Sequence, residues 1–169
     1  MKTIVLMRHA KAEPIEPGQR DFDRPLAPRG RADAARMGRA LGAAKLVPDA
    51  LVASPARRAK ETAEEAAKAM KLDREIRWER RLYDAPGEAW LATLRSLPKS
   101  VDVALLVAHS PGIEEAAALL AGAPREFLDC PTGGVIGFEA DIDAWTALRD
   151  GSASLRFVLR PRMVGALAG

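Results

Sequence analysis

The two histidines of this chain each follow an apolar run, and each stands beside residues that handle anions. His9 comes directly after Arg8 at the end of Thr3-Ile4-Val5-Leu6-Met7. His109 ends the run 101–108 and precedes Ser110-Pro111-Gly112. A neutral imidazole nitrogen is a good nucleophile toward phosphorus when its other nitrogen is pinned by a hydrogen bond that fixes the tautomer. A guanidinium grips phosphoryl oxygens bidentately, and Arg8 and Arg58 are the two placed to do so. A protonated His109 would add a third positive group. The bland alternative for Arg8-His9 is a strand end with a surface arginine and a satisfied histidine.

These side chains can act together only if the fold brings them to one edge. Residues 4–7 read as a buried strand of a parallel sheet, and 50–53 and 101–108 read likewise. Ligands of open α/β sheets bind just beyond the carboxyl ends of the strands. Arg8 with His9, Arg58 after Ser54-Pro55, and His109 all fall at such ends. Ser54 has the character of an N-cap and Pro55 that of a first helical residue, so a helix is expected to start there and run to about Met70. Helix N-termini aimed at the same edge would add free N–H groups and a positive dipole. The sum is a pocket suited to a phosphoryl group. Arg57 and Arg58 differ in direction by about 100° on a helix, so only one of them faces the pocket.

Further elements follow from periodicity and punctuation. Residues 11–28, with prolines at 14, 17, 25 and 28, form a loop over the first strand end. Apolar positions 34, 37, 41 and 44 mark an amphipathic helix over 29–45. Strands are expected at 75–78, 134–140 and 155–160, helices at 88–97 and 113–120, and a frayed tail at 165–169. The expected architecture is α/β: a three-layer sandwich whose mostly parallel central sheet is flanked by helices, in a single domain over 1–169.

Bulk properties exclude several classes. A net charge of +3 without a basic block argues against nucleic acid. No apolar span could cross a membrane, and one cysteine, Cys130, fits a reducing cytoplasmic setting. The excess of arginine over lysine suits phosphate binding, with genomic base composition as the alternative cause. Two histidines and one cysteine are poor stock for a metal site, so neither metal nor cofactor is expected. A cysteine-phosphatase loop fails because Ile136 stands where Cys130 would need an arginine, and no G-x-x-x-x-G-K-[ST] loop occurs.

Arg8-His9-Ala10, Ser54-Pro55-Ala56-Arg57-Arg58-Ala59 with Thr62-Ala63, and Val107-Ala108-His109-Ser110-Pro111-Gly112 resemble the histidine phosphatase superfamily. The match is closest to its SixA-type phosphohistidine phosphatases, and Asp23-Arg24-Pro25-Leu26 with Arg29-Gly30 resembles the segment those carry after the first motif. The chain departs from the wider superfamily at Ala10, usually Gly, and at Ser110, often Asn. The resemblance implies a phosphoglycerate mutase-like fold, with His9 as the phosphorylated nucleophile and Arg8, Arg58 and His109 as phosphate ligands. Ser110 and Arg24 join them as substrate-binding candidates. Larger relatives use a Glu or Asp as general acid; the candidates here are Glu88 and Asp84, with Glu79 in the same region, and none lies in a recognisable motif. Between Met70 and Val101 only about thirty residues intervene, too few for a large lid insertion. The expected substrate is phosphohistidine on a protein such as a histidine phosphotransfer domain. The alternatives are a small phosphoester such as a sugar phosphate, or phosphate binding without catalysis.

Overall fold

The computed structural model describes residues 1–167. β1 (Lys2–Arg8) alternates its side chains between the two faces of the sheet, as extended backbone must. Ile4 and Leu6 enter one core, Val5 and Met7 the other. β2 (Ala50–Ala53), β3 (Ile76–Trp78) and β4 (Val103–Ala108) run parallel, with β4 between β2 and β1. β5 (Val135–Ala140) and β6 (Ala153–Leu159) extend the sheet antiparallel on the other side of β1. The order is β3-β2-β4-β1-β5-β6.

Helices cover both faces, so the three-layer α/β architecture is as expected. α1 (Pro28–Ala43) and α2 (Arg57–Met70) pack on the Val5/Met7 side. They approach so closely that a Cβ at Gly38 would run into the Ala66 carbonyl. α3 (Gly87–Arg95) and α4 (Gly112–Ala121) cover the Ile4/Leu6 side. There Trp90, Leu91 and Leu94 are fully buried. Burial of side chains this size is worth roughly 1.5–3 kcal/mol each, enough to seat the short α3. The stretch from Met70 to β4 holds only β3, a 3₁₀ turn (Arg80–Leu82) and α3, with no large lid.

Two expectations need correction. The chain does not fray after Pro161: it forms α5 (Pro161–Leu167), which packs on α1, so 165–167 are helical. Residues 168–169 of the expected tail lie outside the described residues. Nor does Ser54-Pro55 start α2. That helix begins at Arg57 after Ala56, without a side-chain cap; the buried Ser54 hydroxyl accepts from Ala56 N–H, one residue short of the helix.

Candidate functional site

Strand register assembles the site. Arg8 lies opposite Ala108 and Ala53 opposite Val107, so His9, His109 and Ser54 leave three adjacent parallel strands side by side. The backbone stays paired one residue further: His9 N–H donates to the Ala108 carbonyl (2.9 Å) and Ser54 N–H to the Val107 carbonyl (2.9 Å). The two imidazole centroids are 5.2 Å apart. The sheet edge thus brings together the four side chains singled out for it: Arg8, His9, Arg58 and His109.

His9 Nδ1 lies 2.8 Å from the Ala10 carbonyl. A carbonyl only accepts, so this nitrogen carries the proton and Nε2 keeps its lone pair. Thr62 fixes the Ala10 peptide: its hydroxyl accepts from Ala10 N–H (3.0 Å) and donates to the Arg58 carbonyl (2.6 Å). The exposed lone pair faces Arg58 Nε at 3.3 Å. Arg8 donates from Nη1 to the Cys130 carbonyl (2.7 Å), while its buried Nε has no partner among the described residues. Burial pushes the His9 imidazole down to about 4; the Ala10 carbonyl opposes this, and Arg58, Arg8 and Arg24 add to it.

His109 Nε2 is 2.8 Å from the Ser54 hydroxyl, and Ser54 Oγ also accepts from Ala56 N–H (3.3 Å). Among the described residues the Ser54 hydroxyl has no other acceptor within hydrogen-bond distance, so it gives its hydrogen to Nε2. That assigns the ring proton to Nδ1, which is buried and unpartnered among the described residues. The protonated form of His109, which would add a third positive group, is disfavoured here. Burial, then the charges of His9, Arg58 and Arg8, push it down to about 3 against the opposing pull of Asp21. In the free protein it is a neutral N–H donor.

The residue that periodicity and motif missed is Asp21. It sits in a 3₁₀ turn (Asp21–Asp23) of the loop that an Ala12–Leu26 bridge folds back on itself. Its carboxylate accepts from Arg58 Nη2 (2.9 Å), Arg24 Nη1 (3.0 Å) and the Tyr83 hydroxyl (3.3 Å), and its carbonyl from Arg58 Nη1 (2.7 Å). Partial burial works against its charge, but Arg24, Arg58 and Tyr83 together hold it below the usual carboxylate range. Tyr83 stacks edge-on against Phe22 and against His109, tying the loop to the site. The nearest signal was Asp23-Arg24-Pro25-Leu26, which marks the segment without singling out position 21.

The other candidates divide. Arg24 meets the site through Asp21, its Nε donating to the Glu13 carbonyl (3.1 Å). The Ser110 hydroxyl turns to Glu114 Oε1 (3.0 Å) rather than to the imidazoles. Arg57 points outward and pairs with Glu61 (2.9 Å), leaving Arg58 as the inward member. Neither general-acid candidate reaches His9. Glu88 is largely exposed on α3, with Arg95 3.9 Å away, and Asp84 is an exposed turn residue at φ 48°. Hydrogen bonding to Arg81 and Arg77 holds the Glu79 carboxyl down at about 2. Burial pushes the Cys130 thiol up to about 12, so it carries no thiolate. Among the described residues no three His, Cys, Asp or Glu side chains cluster to hold a metal ion, and no helix is long and apolar enough to cross a membrane.

Two neutral imidazoles, His109 buried and His9 half-buried, make stability depend on pH. An unfolded histidine takes up a proton near pH 6.5, whereas these titrate at about 4 and about 3 when folded. Between those values the unfolded chain binds more protons, so stability is complete above about pH 6.5 and falls as the pH drops toward 4 and 3. The melting temperature is expected to fall by several degrees from pH 7 to pH 5. The fall should be smaller in a His9→Gln/His109→Gln double variant, and equal falls in both proteins would refute the assignment.

Comparison with known proteins matches this arrangement. A family model described as Histidine phosphatase superfamily (branch 1) matches residues 4–90, which hold Arg8, His9, Asp21 and Arg58. An uncharacterized protein of Mycobacterium tuberculosis is 35% identical over 115 residues, 68% of this chain and 70% of its own length. A crystal structure assigned to the phosphohistidine phosphatase SixA of Agrobacterium tumefaciens superposes with TM-score 0.81 at 25% identity, covering 95% of this chain and 98% of that one. One so assigned from Nakamurella multipartita gives TM-score 0.80 at 27% identity, covering 95% and 96%.

Proposed function

The chain belongs to the histidine phosphatase superfamily, in its SixA-type branch, and from that premise we propose that it removes phosphate from phosphohistidine on a protein, with His9 as the nucleophile. One observation carries this reading: the 2.8 Å contact from His9 Nδ1 to the Ala10 carbonyl, which leaves Nε2 unprotonated beside Arg58.

In the first step Nε2 attacks phosphorus and the bond from phosphorus to the substrate imidazole breaks. His9 becomes a phosphorylated imidazolium whose Nδ1–H stays on the Ala10 carbonyl, a hydrogen bond that strengthens as positive charge develops. Arg58, Arg8 and the Nδ1–H of His109 receive the equatorial oxygens, the charge-stabilising role that dominates phosphoryl transfer. The substrate must displace Asp21 from the terminal nitrogens of Arg58. Water then attacks phosphorus, the bond to Nε2 breaks, inorganic phosphate leaves and neutral His9 returns.

The state of the carboxyl groups supports the substrate class. Glu79 and Asp21 are both held ionised, so neither has a proton to give a departing alkoxide. A substrate imidazole already protonated on its far nitrogen leaves neutral and needs none. General acid catalysis is worth about 10²–10⁴-fold. A phosphohistidine peptide is therefore expected to exceed sugar phosphates in kcat/KM by about a hundredfold or more. Preference for the esters would overturn the phosphohistidine assignment.

A further inference from the structure

A cleft of about 570 Å³ opens beside the imidazole site, on the far side of the turn at residues 130–133. That turn is a shared wall. Its Cys130 carbonyl takes Arg8 Nη1, its Gly133 N–H donates to the His9 carbonyl (3.0 Å), and its Pro131 and Thr132 line the cleft. Gly133 takes φ +73°, and a Cβ there would stand 3.0 Å from the cleft-lining Pro161 and 3.7 Å from Ala10 beside His9. Lys11, two residues beyond His9 and hence within about 7 Å of chain, is exposed and lines the cleft.

The cleft is cationic. Lys11, Arg29, Arg160 and Arg162 line it, against one acid, Asp33. Asp33 is already taken by Arg36 (2.5 Å) and faces Arg29 at 3.6 Å. Among the described residues no carboxylate lies within ion-pair distance of Lys11, Arg160 or Arg162, and the proposed chemistry at His9 uses none of them. Arg160 donates only to the Asp129 carbonyl (3.5 Å), which leaves its charge unneutralised, and like charges gathered in excess over carboxylates repel one another and gain when an anion neutralises them.

We infer that this cleft receives acidic side chains flanking the phosphohistidine of a polypeptide substrate, so that the enzyme selects phosphohistidine set in an acidic segment. The inference rests on the phosphohistidine reading and adds the sequence context to it. Charge complementarity and the shared wall argue for it: a chain whose phosphohistidine enters at His9 comes within reach of Lys11 within a residue or two.

The test compares two phosphohistidine peptides of equal length, one flanked by Asp and Glu and the other by Asn and Gln. Each is presented to the wild type and to Lys11→Gln/Arg162→Gln. Two exposed charge contacts give the wild type about a tenfold preference for the acidic peptide, expressed in KM and fading at high salt. The double variant should lose that preference and hydrolyse the neutral peptide as the wild type does. Equal kcat/KM for the two peptides in the wild type overturns the inference and leaves the phosphohistidine reading standing, as does a preference that survives the double substitution. Hydrolysis of neither peptide overturns both.

Discussion

His9→Ala is expected to lower phosphohistidine turnover by about 10⁴-fold or more, while the protein stays folded. Losses of that order follow removal of a nucleophile whose covalent intermediate splits one hard step into two. Only this ring offers an unprotonated nitrogen to the guanidinium of Arg58, at 3.3 Å; His109 has its own Nε2 engaged by Ser54. His9 is also not a structural keystone, since its ring makes one side-chain-to-backbone hydrogen bond, to the neighbouring Ala10. Wild-type turnover in the variant, measured as phosphate release with circular dichroism as the check on folding, would contradict the assignment. A protein that only binds phosphate would keep its phosphate affinity and show no turnover in either form.

Arg58→Lys should cost about 10²–10³-fold in kcat despite keeping the charge. The three guanidinium nitrogens serve three directions at once: Nε toward His9, Nη1 to the Asp21 carbonyl and Nη2 to the Asp21 carboxylate. A lysine ammonium is a point charge on a flexible stem and cannot span that fork. Loss of one well-placed donor to a developing anion typically costs this much. Phosphate release by the purified variant checks it, and near-wild-type kcat would mean that Arg58 supplies charge alone.

Much of this site was legible in the sequence. The unbroken apolar run Ile4-Val5-Leu6-Met7 identified a strand buried on both faces, and parallel strands must deliver their carboxyl ends to one edge, so His9 and His109 could be paired. The 100° step between Arg57 and Arg58 foretold that only one would face the pocket; the other, Arg57, pairs with Glu61. What stayed hidden depends on tertiary closure. Asp21 reaches Arg58 only because Ala12 and Leu26 bridge and Tyr83 receives Phe22, contacts between segments far apart in the chain. Ser54 carried a local signal for the wrong role: its cap character is real, yet the register of β2 against β4 sets its hydroxyl beside His109, and tertiary bonding prevailed over capping. The expected frayed tail was a similar case. Pro161 reads as the end of a strand, but it is equally suited to the first turn of α5, which the surface of α1 stabilises. The neutral state of His109 was invisible because burial, not residue type, sets it.

The most direct test is to load the enzyme with a phosphohistidine peptide, quench in base and map the phosphate by proteolysis and phosphorus NMR. One acid-labile phosphate on Nε2 of His9 is the predicted result. Phosphate on Nδ1 of His9, on His109 or on neither histidine would contradict the account.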